Sequence, residues 1–148
     1  MEFCGMKFLN EQGQEISLKR AENLPGYEVT LAEDTIIDSA VNNPFFKGIN
    51  VLQLPKKLKG FRDNPDLKKL LESQKLNTGV HLDLASNEYV TFIPNQELVK
   101  NERLIVVHDT FGSGTTIIPL VINFGLKKIK LGKGKFIGTV IVKKAVID

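Results

Sequence analysis

Residues Leu104 to Ile147 read LIVVHDTFGSGTTIIPLVINFGLKKIKLGKGKFIGTVIVKKAVI. Apolar β-branched runs alternate there with glycine-bearing turns, which is how the short strands of a compact sheet are punctuated. The pattern predicts strands over 98–107, 116–124, 127–131 and 136–147, with the loop Val107-His-Asp-Thr-Phe-Gly-Ser-Gly114 between the first two.

The same grammar runs upstream. Met6 to Leu18 reads as a hairpin around the polar turn Asn10-Glu-Gln-Gly13, and Leu24-Pro-Gly26 makes a second turn. Further strands are expected over 27–31, 35–41, 49–54 and 89–93. From Gly79 onward Val80, Leu82 and Leu84 fall on one face of a strand, with His81, Asp83 and Ala85 on the other. One segment is helical in spacing: Asn64 as cap, Pro65 at the first position and Asp66 for the dipole, then Leu67, Leu70 and Leu71 at i, i+3 and i+4. It predicts a short helix over about 64–75. About ten short strands and one helix imply a mainly β, single-domain architecture over 1–148, of barrel or sandwich type.

A chain of 148 residues is long enough for one ordinary core and short for two. Hydrophobic content of 42% with 25% charged residues is that of a globular domain. No apolar run approaches the roughly 20 residues that span a bilayer. The start, MEFCGMKF, does not fit a secretory signal, and the lone Cys4 has no internal disulfide partner. The expected location is therefore intracellular, cytoplasmic or within a virion assembled in a cell.

Net charge of +3 hides a split. Residues 1–50 carry eight acids and four bases, and the remainder nine acids and sixteen bases. Such polarity suits head-to-tail contact between copies, or an anionic partner on the basic side. Lys127, Lys128, Lys130, Lys133, Lys135, Lys143 and Lys144 form a basic stretch in which only Phe136 could stack on a base, and Trp is absent. A guard against edge-to-edge aggregation is favoured over nucleic-acid binding. The loop Asn42 to Gly48 displays Phe45 and Phe46 side by side; they are candidate interface residues unless they fold into the core.

The C-terminal third resembles the trimeric dUTP pyrophosphatase and dCTP deaminase family. Leu120-Val-Ile-Asn-Phe-Gly125 followed by Lys133-Gly-Lys-Phe-Ile-Gly-Thr-Val-Ile141 is similar to that family's Asn-x-Gly strand end and its Lys-Gly-Asp-Arg-Ile-Ala-Gln-Leu-Ile strand. Val107 to Gly114 is similar to the family's Val-Ile-Asp-x-x-(Tyr/Phe)-x-Gly loop. The resemblance implies a distorted β-barrel of the dUTPase-like β-clip type and self-association as a trimer. It also puts Asp109 on the water-activating aspartate and Thr139 on the glutamine of the Ile-Ala-Gln-Leu strand. The departures are as informative. No Pro-Arg-Ser-Gly phosphate loop is found between Asp83 and Asp109, no Phe-Gly-Ser-Thr-Gly lid is found in the sequence, and Lys135-Phe136 replace Asp-Arg.

Asp109 is the catalytic candidate, since a carboxylate on a glycine-bearing loop can orient water as a general base. The structural alternative is an aspartate closing its turn onto the amides of Phe111 or Gly112. Gly112-Ser113-Gly114 can cradle an anion with its amides, or simply connect two strands tightly. His81 with Asp83 and His108 with Asp109 lack a third ligand, so no metal site is expected. The reading that follows is a non-enzymatic structural or assembly protein with a dUTPase-like β fold, a viral or phage virion component acting as a homo-oligomer among other assembly proteins. It needs no cofactor and no membrane. The alternative is a divergent nucleotide-binding or nucleotide-hydrolysing relative, for which Asp109, Gly112, Ser113, Gly114 and Thr139 would be the site and Mg²⁺ the cofactor.

Overall fold

The computed structural model describes residues 6–40 and 75–146. The strands expected at 49–54, the helix expected at 64–74, and Phe45 and Phe46 lie outside them. Lys75, the last residue of the expected helix, is in an antiparallel bridge to Leu120.

The chain opens with the hairpin β1 (Lys7–Leu9) and β2 (Glu15–Ile16), in register Phe8 to Ile16. Asn10 closes it: its side-chain oxygen accepts the amides of Gln12 and Gln14 at 3.0 and 2.9 Å, and Gly13 takes the left-handed φ of 80° the turn needs. β3 (Tyr27–Thr30) and β4 (Thr35–Ile37) follow, then β5 (His81–Asp83) and β6 (Glu88–Pro94). The alternation read from Gly79 holds, with Val80, Leu82 and Leu84 all buried.

Where a strand was expected from Leu98, the chain forms the short helix α1 (Gln96–Lys100). Pro94 ends β6, the Asn95 side chain caps the helix by accepting the Glu97 amide at 3.3 Å, and Glu97 and Lys100 sit at the ends that suit their charges. Leu98 alone is buried from it. The strand β7 (Leu104–His108) begins only after Arg103, a non-glycine residue at φ 56°.

β8 (Thr110–Phe111), β9 (Leu120–Asn123), β10 (Ile129–Leu131) and β11 (Phe136–Lys144) complete the element order. β8 lies inside the stretch read from sequence as loop; its two residues pair with Thr91 and Val90. Among the described residues the strands are arranged as four sheets, β2-β1-β5, β10-β4, β3-β11-β6-β8 and β7-β9. Among the described residues they do not close into the expected barrel. The pairs are short, and register shifts between Phe136 and Gly138 and between Val106 and His108 bend the strands away from continuous pairing.

β11 organises the molecule, pairing with β3 on one side and with β6 on the other, from Gly138 against Pro94 to Lys144 against Glu88. Its Ile137 and Val140 are fully buried, packed in one core with Val29, Val90, Phe92 and Leu131. Gly138 permits this pairing, because a Cβ there would overlap the Ile93 carbonyl oxygen and lie 2.6 Å from Cε1 of Phe92. Among the described residues no helix is long and apolar enough to cross a membrane.

Candidate functional site

Pairing register builds a polar row across the outer face of the large sheet. Val140 of β11 stands opposite Phe92 of β6 and faces the core, so Thr139, one residue earlier, faces away from it. Thr139 is opposite Ile93 on one side and Glu28 of β3 on the other, which sets a carboxylate, a hydroxyl and an apolar side chain in line.

Two turns raise walls around that row. On the β3 side the segment Ala21 to Gly26 folds back, its Ala21 amide bonded to the Gly26 carbonyl at 2.8 Å, and Gly26 is buried where a Cβ would overlap the Val140 carbonyl oxygen. This wall carries Glu22, Asn23 and Leu24. On the β6 side Pro94, Asn95 and Gln96 turn the strand into α1, and Phe136 closes the mouth. The cavity, half open to solvent, is about 630 Å³. Among its described lining residues are two carboxylates and no lysine or arginine; the Lys19 Nζ lies 3.9 Å from Glu28. Thr139 is 5% exposed and makes no side-chain hydrogen bond among the described residues, while Lys19 holds Glu28 at the floor's edge.

The turn Pro94-Asn95-Gln96-Glu97 is the strand-to-helix connection between Asp83 and Asp109.

Asp109 does not line this cavity. It is exposed at the corner between β7 and β8, where its carbonyl accepts the Phe92 amide at 2.8 Å and its Oδ1 accepts the Thr110 hydroxyl at 3.1 Å. The side chain thus holds its neighbour's hydroxyl rather than the amides of Phe111 or Gly112. His108 puts its ring edge against Phe111, with centroids 4.9 Å apart. The anion-cradle candidates are engaged in the fold: Ser113 Oγ accepts the Leu84 amide at 2.9 Å, the Gly114 amide donates to Leu82 at 2.9 Å, and the Thr115 hydroxyl donates to Gly112 at 2.6 Å. Gly112, Ser113 and Gly114 therefore tie this loop to β5 as a strand connection.

His81 shares a hydrogen bond with the Thr116 hydroxyl through Nδ1, and Asp83 pairs in register with Lys7. Among the described residues no three His, Cys, Asp or Glu side chains are grouped to hold a metal ion. Of the sequence candidates among the described residues, only Thr139 lines the cavity. Glu22, Glu28, Asn95 and Gln96 carried no local signal, because they converge only through the pairing of β11 with β3 and β6.

No family model matches the chain, and no curated protein matches it. Solved structures do. A Staphylococcus bacteriophage 80alpha dUTPase, a mutant holding dUpNHpp, is 8% identical with a TM-score of 0.64, over 99% of this chain and 94% of that one. The dUTPase of phage phi11 of S. aureus is 7% identical with a TM-score of 0.60, covering 90% of this chain and 86% of that one. The native EIAV dUTPase is 13% identical at a TM-score of 0.58, over 94% and 88%. The chain has a dUTPase-like fold along almost its whole length.

Proposed function

We propose that this dUTPase-like fold serves here as a non-enzymatic structural or assembly protein, a homo-oligomer of viral or phage origin. The observation that carries the reading is the acidic cavity. A nucleotide pyrophosphatase must position and neutralise a triphosphate with cations, amides and usually Mg²⁺. In this chain the cavity into which Thr139 and the Pro94-Asn95-Gln96 turn face is lined on its β3 side by Glu22 and Glu28. A triphosphate entering there meets the like charge of Glu22 and Glu28, and Lys19 is paired with Glu28 at 3.9 Å. Asp109 stands apart from the cavity, and in the loop that follows it the Ser113 hydroxyl and the Gly114 amide are bonded to Leu84 and Leu82. The viral part of the reading leans on the phage and lentiviral origin of the similar folds, and the oligomer on the trimeric family that the C-terminal third resembles.

The test is incubation with dUTP, dCTP and Mg²⁺, following pyrophosphate and ammonia release. No turnover above the uncatalysed rate is expected. Turnover that Asp109→Asn abolishes would overturn the reading and make the chain a divergent enzyme. Saturable nucleotide binding without turnover would make it a nucleotide-sequestering protein.

A further inference from the structure

α1 has the acidic cavity at one end and a basic projection at the other. Asn95 and Gln96, where the helix begins, line the cavity; Asn101, Glu102 and Arg103, where it ends, line a cleft together with Leu126, Lys127 and Lys128 of the turn between β9 and β10. That turn carries Leu126, Lys127 and Lys128. Leu126 is 79% exposed and both lysines are exposed.

The turn is held stiffly from inside. Asn123, 0% exposed, donates through Nδ2 to the carbonyls of Lys127 at 2.9 Å and Ile37 at 3.3 Å, and accepts the Gly125 amide at 2.8 Å. The Ser39 hydroxyl donates to the Gly125 carbonyl. A fully buried amide that spends two bonds on the turn and a third on β4 ties the backbone that carries Leu126 and its lysines to the sheet. An apolar side chain fixed in this way loses little freedom when it docks, which is the property of an anchor residue.

The cavity has the complementary character. Leu24, Ile93 and Phe136 give it a half-exposed apolar rim, Glu22 and Glu28 carry opposite charge to the projection, and the Thr139 hydroxyl, which makes no hydrogen bond among the described residues, can accept from an ammonium group. We propose that the Leu126-Lys127-Lys128 turn of one copy seats in the Glu22–Glu28 cavity of a second copy. Leucine meets the apolar rim, the lysines meet the carboxylates, and the acidic and basic halves of the sequence thereby face each other across a contact between copies. Because the two patches differ, the contact is head-to-tail, and each copy offers one of each. This inference rests on the homo-oligomer reading above and names its contact.

The test is a charge-swap complementation read by light scattering coupled to size-exclusion chromatography. One variant, Glu22→Lys with Leu24→Lys, spoils the cavity; the other, Lys127→Glu with Lys128→Glu, spoils the projection. All four residues are exposed, so both variants should keep the wild-type thermal midpoint. Each alone should run as a monomer at a salt concentration where wild type is oligomeric, and an equimolar mixture should recover a mixed complex, since each supplies the partner patch the other has lost. Leu126→Ser should reduce the oligomer in the same way without a change of charge. Variants that keep the wild-type mass would sink this contact while leaving self-association by another surface. A mixture that stays monomeric would also overturn it. A wild type that is monomeric at high concentration and low salt would remove the contact and the oligomer reading together.

Discussion

Replacing Asn123 by alanine tests whether the β9–β10 turn is held as described. The side chain makes three hydrogen bonds, to the Lys127 and Ile37 carbonyls and from the Gly125 amide, and is fully buried. Each such bond contributes roughly 1 kcal/mol net, and a buried partner left unsatisfied costs about 1–3 kcal/mol. The Lys127 carbonyl and the Gly125 amide lie close enough to the surface for water to recover part of that loss, so the sum should be about 3 kcal/mol. For a chain of this size about 2–4 °C of thermal midpoint accompanies each kcal/mol, so Asn123→Ala should melt roughly 6–12 °C lower. Urea denaturation followed by circular dichroism gives the free energy, with an unchanged slope showing that the unfolded state is not what moved. Asn123→Asp sharpens the test: it keeps the acceptor for Gly125 but aims a carboxylate at two carbonyl oxygens, and should be at least as damaging. If Asn123→Ala loses less than about 1 kcal/mol, the hydrogen bonds do not hold the turn, and the fixed display of Leu126 loses its basis.

Two further changes test the large sheet. The Thr91 hydroxyl is buried with no hydrogen-bond partner among the described residues, so Thr91→Val should raise stability by about 1 kcal/mol in the same denaturation assay; a loss would reveal a partner to that oxygen. Gly138→Ala drives a methyl into the Ile93 carbonyl and the Phe92 ring, and should cost about 3 kcal/mol or more, with faster hydrogen exchange at the β6–β11 pairs; wild-type stability would mean the strands separate more easily than their register implies.

The strands were legible in sequence wherever a local period decided them. The hairpin at Asn10 to Gly13, the alternation of Val80, Leu82 and Leu84, and the glycine-separated strands of the last third all depend on residues within a few positions of each other. The turn Pro94-Asn95 was readable too, as a proline followed by a capping side chain, yet the apolar residues 104–107 drew the strand assignment back across it to Leu98. β8 escaped because two residues have no period; what makes them a strand is the edge of β6 beside them.

The sequence by itself determined the mainly β class, the turn positions, the charge split and the likeness of the C-terminal third to dUTPases. It also supplied the candidates Asp109 and Gly112 to Gly114, whose residue types are those of a site. Only the tertiary structure decided that Ser113 and Gly114 are bonded into the sheet, that Asp109 stands apart, and that Thr139 looks into a cavity walled by Glu22, Glu28, Asn95 and Gln96. Side chains from 21–28, 93–96 and 136–139 meet there because β11 pairs with both β3 and β6, and the register of those pairings is set by burying Val140 and Phe92, a contact no local window contains.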